Sequence, residues 1–126
     1  MRPARGTETI LVVEDDPSVR RVAQETLEAQ GYRVLVAADG PEALKLVEDV
    51  QQRVDLVLTD VVMPKMSGPE LAAELQQRRP SIRVLLSSGY GGDLVDQATS
   101  PYAFLQKPMT PNALAAKVRE LLDAPP

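Results

Sequence analysis

The sequence has 126 residues, 44% hydrophobic and 25% charged, with a formal net charge of −4. These values predict one globular domain, exclude collagen-like, disordered and membrane-spanning classes, and disfavour direct nucleic acid binding. The absence of cysteine and histidine from these residues excludes disulfides and thiolate chemistry, so any metal must bind through oxygen. No signal-peptide core opens the sequence, and we expect a cytoplasmic protein.

The chain begins with a polar stretch over 1–8, predicted as a flexible lead-in. A single domain is predicted over 9–123, followed by a tail over 124–126. The apolar run at 10–13 predicts a first strand that ends in Glu14-Asp15-Asp16-Pro17. Asp16 as a cap before Pro17 predicts the start of a helix, and Gly31 is the residue type that commonly ends one.

The same signals recur along the chain. Gly40-Pro41, Gly68-Pro69 and Thr110-Pro111 predict helices that end at Val50, about Arg78 and Leu122. Apolar runs between the helices predict strands at 34–36, 56–58, 84–86 and 103–105. This alternation predicts a doubly wound α/β domain, with five parallel strands and helices on both faces. The glycine-rich segment 89–102 predicts a shortened or irregular fourth helix.

Polar side chains follow the predicted strands, and the carboxyl ends of parallel strands meet at one edge of a sheet. Asp60 ends the most apolar run, where taken alone it would be a turn former. Glu14 and Asp15 follow the first strand, Ser88 the fourth and Lys107 the fifth. Taken singly, these are ordinary helix-start acids, a loop serine and a surface lysine.

Carboxylates brought together repel one another unless a cation joins them. Without histidine or cysteine the fitting ion is a hard one, Mg²⁺ or Mn²⁺, which binds one or two carboxylates, waters and a substrate phosphate. An aspartate beside such an ion can act as a nucleophile on a phosphoryl group. Lys107 offers a positive charge and Ser88 a hydroxyl donor for the phosphoryl oxygens.

These segments resemble the motifs of the receiver domain of two-component response regulators. The resemblance covers about Thr9 to Leu122 and implies the flavodoxin-like strand order 2-1-3-4-5. It rests on Val12-Val13-Glu14-Asp15-Asp16, Asp60-Val61-Val62-Met63-Pro64, Ser88-Gly89 and Phe104-Leu105-Gln106-Lys107-Pro108. Ser88-Gly89-Tyr90 and the C-terminal segment look most like receivers attached to hybrid sensor histidine kinases.

The resemblance implies that Asp60 accepts a phosphoryl group from a phosphohistidine on a histidine kinase or histidine phosphotransfer protein. It implies a Mg²⁺ site made of Glu14, Asp15, Asp60 and the Val62 carbonyl. Such a domain is a switch that catalyses only its own phosphorylation and dephosphorylation, and it turns over no diffusible substrate.

Further roles are implied for the surrounding residues. Lys107 pairs with the phosphoryl group, while Ser88 and Phe104 are the switch hydroxyl and switch aromatic. Val62 and Tyr90 border the path of the hydrolytic water. Because neither orients water as an acid or amide would, slow self-dephosphorylation is expected.

Three other classes share parts of this pattern. A flavin-binding protein of this architecture would need a phosphate loop rich in Ser, Thr and Gly, where this chain has Glu14-Asp15-Asp16. An aspartyl-phosphate phosphatase would carry its nucleophile after the first strand and need a longer chain. A receiver-like scaffold that binds partners without phosphorylation would have no need of the acids, the hydroxyl and the lysine.

Overall fold

A computed structural model describes residues 8–49, 51–88, 102–106 and 110–124. The strands are β1 (Thr9–Val13), β2 (Arg33–Ala37), β3 (Leu56–Asp60), β4 (Arg83–Ser88) and β5 (Ala103–Gln106). The described helices are α1 (Pro17–Ala29), α2 (Gly40–Glu48), α3 (Gly68–Arg78) and α4 (Pro111–Asp123). None of these described helices is long and apolar enough to cross a membrane.

The five strands form one sheet in the order β2-β1-β3-β4-β5, and every neighbouring pair is parallel. The predicted strand order is therefore confirmed. The strands are almost wholly apolar because both faces of the sheet are covered. Side chains that alternate along β1, β3 and β4 enter two separate cores. Leu11, Val57 and Leu86 face α2 and α3, whereas Ile10, Leu58 and Leu85 face α1 and α4.

The helices begin where their proline signals predict. A side chain caps each start by accepting a hydrogen bond from a backbone N–H of the first turn, and proline occupies one of the first two positions. The caps are Asp16, Asp39, Ser67 and Thr110. Gly31 follows α1 with φ of 96°, the left-handed conformation expected of a glycine after a helix.

The prediction that α2 extends to Val50 is wrong, because the helix ends at Glu48. Asp49 leaves the helical conformation, and its carboxylate accepts a hydrogen bond from the Gln51 N–H at 3.0 Å. This local bond competes with continuation of the helix. Arg79 binds the exposed end, since its guanidinium donates to the carbonyls of Val47 (2.9 Å) and Asp49 (2.8 Å). The predicted fourth helix falls almost wholly on 89–101, outside the described residues.

Glu8, which the sequence assigns to the lead-in, joins the start of β1 to α4. Its carboxylate pairs with Arg119 at 2.8 Å, and the same guanidinium donates to the Tyr32 hydroxyl at 3.2 Å. The two charged side chains are only 21% and 18% exposed. The hydrogen bond from Arg119 lowers the pKa of Glu8 below its ordinary value of 4.5. The pair therefore stabilises the folded state when Glu8 is ionised.

Replacing Glu8 by glutamine is expected to lower the free energy of unfolding by about 1 kcal/mol at neutral pH. Because the folded state lowers the pKa of Glu8, the stabilisation is fully present above pH 4.5 and is lost as the pH falls through the pKa of the folded state. Urea unfolding of both proteins, from neutral pH to well below pH 4.5, measures the difference. Glu25→Gln removes the exposed pair with Arg21 and should cost less than about 0.5 kcal/mol. A Glu8→Gln effect that stays constant with pH would contradict the ion-pair explanation.

Candidate phosphoryl and metal site

The carboxyl ends of β1 and β3 bring three carboxylates together. Glu14 and Asp15 follow β1 directly, and Asp60 is the last residue of β3, the strand that pairs with β1. Each of the three side chains offers one oxygen, and these oxygens lie within 4.8 Å of one another. Glu14 and Asp60 are each only 6% exposed, whereas Asp15 is exposed. In the part of the chain that the structure describes, no other group of three such side chains is this close.

Local hydrogen bonds hold the acidic loop in place. The Glu14 N–H extends the sheet by donating to the Ala37 carbonyl at 3.1 Å, and the Glu14 carboxylate accepts from the Asp16 N–H at 3.0 Å. Arg20, one turn into α1, donates to the Glu14 carbonyl at 2.9 Å. Asp16 caps α1, as predicted, through its bonds to Ser18 and Val19. The loop that carries Glu14 and Asp15 is therefore bonded to both α1 and β2.

Hydrogen bonds from β4 and α3 hold the backbone directly after Asp60. The next residue, Val61, donates its N–H to the Ser87 carbonyl at 3.1 Å and accepts from the Gly68 N–H at 2.8 Å. The first residue of α3, Gly68, packs directly on the Asp60 carbonyl, where a β-carbon would overlap that oxygen. The absence of a side chain at Gly68 allows α3 to begin this close to the nucleophile candidate.

A second contact fixes the Asp60 side chain. Ser87 pairs with Asp60 in the register of β3 and β4, and its hydroxyl donates to Asp60 Oδ1 at 3.0 Å. The strand pattern predicts only Ser88 as a hydroxyl donor, and the structure adds Ser87. The period of two offered a signal, because Ser87 shares a sheet face with Leu85, as Asp60 does with Leu58. Only the register of the two strands brings the two side chains together.

The structure describes some of the other predicted site residues and not others. Phe104, on β5, lies beside Leu86 of β4 and packs, partly buried, against the core that faces α2 and α3. Val62 lies in the loop after β3 and is 64% exposed.

The backbone of Ser88 ends β4 next to Gln106. Lys107 and Tyr90 lie outside the described residues, so the roles predicted for them stay predictions.

The loop between β3 and α3 contains an unusual backbone conformation. Lys65 has φ of 72°, a backbone angle that residues other than glycine rarely adopt. Its ammonium group pairs with the Asp39 carboxylate at 3.1 Å, which joins this loop to the start of α2. The backbone N–H of Glu42 and this ammonium group lower the pKa of Asp39. The segment after Asp60 is thus connected to both α2 and α3.

Comparison with known proteins gives a consistent result. The sequence profile described as "Response regulator receiver domain" matches residues 10–119. Sensor kinase CckA of Brucella abortus (strain 2308) is 40% identical over 121 residues, which cover 94% of this chain and 13% of CckA. The alkaline phosphatase synthesis transcriptional regulatory protein PhoP of Bacillus subtilis (strain 168) is 32% identical over 90% of this chain and 48% of PhoP. The chain thus spans less than half the length of these two relatives.

Solved structures share the architecture. The receiver domain from the hybrid histidine kinase CckA has a TM-score of 0.77 at 36% identity, over 91% of this chain and 99% of that one. A CheY-like receiver domain protein from Methanospirillum hungatei JF-1 has a TM-score of 0.83 at 31% identity, over 94% and 95% of the two chains. The predicted likeness to a receiver of a hybrid kinase is therefore confirmed.

Proposed function

Because the chain belongs to the response regulator receiver family, we propose that Asp60 accepts a phosphoryl group from a phosphohistidine. The observation that carries this proposal is the buried Asp60 carboxylate within 4.8 Å of the Glu14 and Asp15 oxygens. The 126 residues contain no histidine, so the donor is a group outside this sequence, on a histidine kinase or histidine phosphotransfer protein. We place this exchange in the cytoplasm.

The donor set fits Mg²⁺ or Mn²⁺. Three carboxylate oxygens at close range, without histidine or cysteine, suit a small hard cation. Glu14, Asp15 and Asp60 would hold the ion, together with the Val62 carbonyl that the family resemblance adds. When bound, the ion offsets the negative charge that otherwise opposes the approach of a phosphoryl group to this site.

The covalent step involves one oxygen of the Asp60 carboxylate. This oxygen attacks phosphorus, an O–P bond forms, and the P–N bond of the phosphohistidine breaks with its electron pair left on the imidazole nitrogen. Attack of water on phosphorus later breaks the O–P bond, regenerates the carboxylate and releases inorganic phosphate. The domain thus catalyses its own phosphorylation and dephosphorylation and turns over no diffusible substrate.

The remaining roles follow from the family resemblance. Lys107 binds the phosphoryl oxygens as a positive charge, and Ser88 supplies a hydroxyl to them. Movement of Ser88 and Phe104 changes a surface that partner proteins bind. Val62 and Tyr90 border the path of the hydrolytic water and slow dephosphorylation. The exposed Val62 side chain, in the loop that follows Asp60, supports its part of this proposal.

Intact-mass spectrometry tests the proposed function. The protein is incubated with acetyl phosphate, with and without Mg²⁺, and then treated with hydroxylamine, which cleaves acyl phosphates. We expect one added phosphoryl group that requires Mg²⁺ and is removed by hydroxylamine. Absence of an adduct with both acetyl phosphate and a phosphorylated histidine phosphotransfer protein would refute the proposal and favour the receiver-like scaffold.

Replacing Asp15 by asparagine is expected to weaken Mg²⁺ binding by about tenfold or more, because a charged oxygen ligand becomes a neutral one. Isothermal titration calorimetry with MgCl₂ measures the affinity. Asp16→Asn is the matched control, since it makes the same change one residue away and asparagine caps helices as well as aspartate does. The control should change the affinity by less than about threefold. Equal losses in both variants would argue against Asp15 as a ligand.

A further inference from the structure

Ser87 and Asp60 form a buried pair at the phosphoacceptor candidate. The Ser87 hydroxyl donates to Asp60 Oδ1 at 3.0 Å, and the two residues are 3% and 6% exposed. A hydrogen bond to a charged acceptor is stronger than one between neutral groups, and water does not compete well for it in a buried site. The bond therefore restrains the Asp60 side chain.

The backbone holds the Ser87 hydroxyl in this position. Ser87 lies on β4 between β3 and β5, in register with Asp60 on one side and Leu105 on the other. Its carbonyl also accepts from the Val61 N–H at 3.1 Å. Ser87 thus contacts the β3 end through both its main chain and its side chain, and a strand inside the sheet has little freedom to move away.

A small cavity lies beside the pair. Asp60, Ser87 and Glu14 line it together with apolar side chains of β1 and α1, including Val12, Val19 and Ala23. Loss of the serine hydroxyl would remove the hydrogen bond that holds Oδ1 and allow the carboxylate a wider range of side-chain rotation. Displacement of a reacting atom by about 1 Å can lower a rate on the order of a hundredfold.

We propose that Ser87 is a positioning residue that orients the Asp60 carboxylate for attack on phosphorus. This inference rests on the proposed phosphoacceptor function and adds a second serine to it. Ser88 is the switch hydroxyl that the resemblance implies, and it acts on the phosphoryl group. Ser87 acts earlier, on the unmodified carboxylate, by holding Oδ1 toward β4.

Threonine and valine at position 87 provide a matched test, since they share a shape and differ in the hydroxyl. The rate constant of acyl phosphate formation is measured for wild type, Ser87→Thr, Ser87→Val and Ser87→Ala at saturating Mg²⁺ with acetyl phosphate. We expect Ser87→Val and Ser87→Ala to react about tenfold more slowly than wild type and Ser87→Thr to react within about twofold of it. Ser87→Ala adds no bulk, so it covers the case in which valine prevents folding.

A second measurement uses the Mg²⁺-free protein. The carboxyl ¹³C resonance of Asp60 should move in Ser87→Ala and Ser87→Val and stay near its wild-type position in Ser87→Thr, because it reports the hydrogen bond without any reaction. Wild-type rates in all three variants would overturn the inference, as would a threonine variant as slow as the valine one. Both results leave the proposed function intact. Failure of the wild type to form an acyl phosphate with both acetyl phosphate and a phosphorylated histidine phosphotransfer protein would instead refute the proposed function.

Discussion

Replacing Gly68 by alanine is expected to lower the free energy of unfolding by about 3 kcal/mol. The added β-carbon would overlap the Asp60 carbonyl oxygen and lie 3.0 Å from the carbonyl carbon and 3.1 Å from Val61 Cα. These are backbone atoms of a buried strand end, so no side-chain rotation relieves the overlap. The start of α3 must move away from β3, which also displaces Asp60 and should slow its phosphorylation.

Gly40 provides a matched control for this substitution. Like Gly68, it is the first residue of a helix and is followed by proline. A β-carbon on Gly40 would meet the Met66 side chain, with Sδ at 2.8 Å, Cβ at 3.0 Å and Cγ at 3.2 Å. Methionine can rotate its Sδ and Cγ away, and only its Cβ is fixed by the loop backbone, so Gly40→Ala should cost about 1 kcal/mol in urea unfolding followed by circular dichroism. Equal losses in the two variants would contradict the specific role given to the Gly68 contact.

Replacing Asp60 by asparagine is expected to abolish acyl phosphate formation while the fold persists. An amide has nearly the shape of a carboxylate, and its oxygen still accepts the Ser87 hydrogen bond. The amide lacks the charged oxygen that attacks phosphorus, and it also reduces repulsion among three close acids. The free energy of unfolding should therefore change by less than about 1 kcal/mol in urea titrations. Glu70→Gln, on the exposed start of α3, should leave phosphorylation unchanged.

The sequence predicts most of the architecture because its signals are local. Each helix start combines a capping side chain with a proline, and each strand is an apolar run between such signals. The acidic cluster is also predictable, since Glu14, Asp15 and Asp60 end strands that the family resemblance places side by side. Their oxygens lie within 4.8 Å in the folded chain.

Other features depend on contacts between distant parts of the chain. Helix α2 is shorter than predicted. The carbonyl of Asp49, just after its last residue, accepts a hydrogen bond from Arg79, which lies 30 residues further along the chain. The Glu8 pair depends on Arg119, at the other end of the sequence. The Ser87 bond requires the register of β3 against β4. Periodicity identifies the face of a strand, but only the pairing of the strands shows which side chains meet.

The most direct measurement identifies the phosphorylated residue. Borohydride reduces an aspartyl phosphate to homoserine, and tandem mass spectrometry of the digested protein then locates the homoserine. After incubation with acetyl phosphate and Mg²⁺, we expect homoserine at position 60 and at no other aspartate. Homoserine at position 15 or elsewhere, with Asp60 unmodified, would contradict the assignment of Asp60 as the phosphoacceptor.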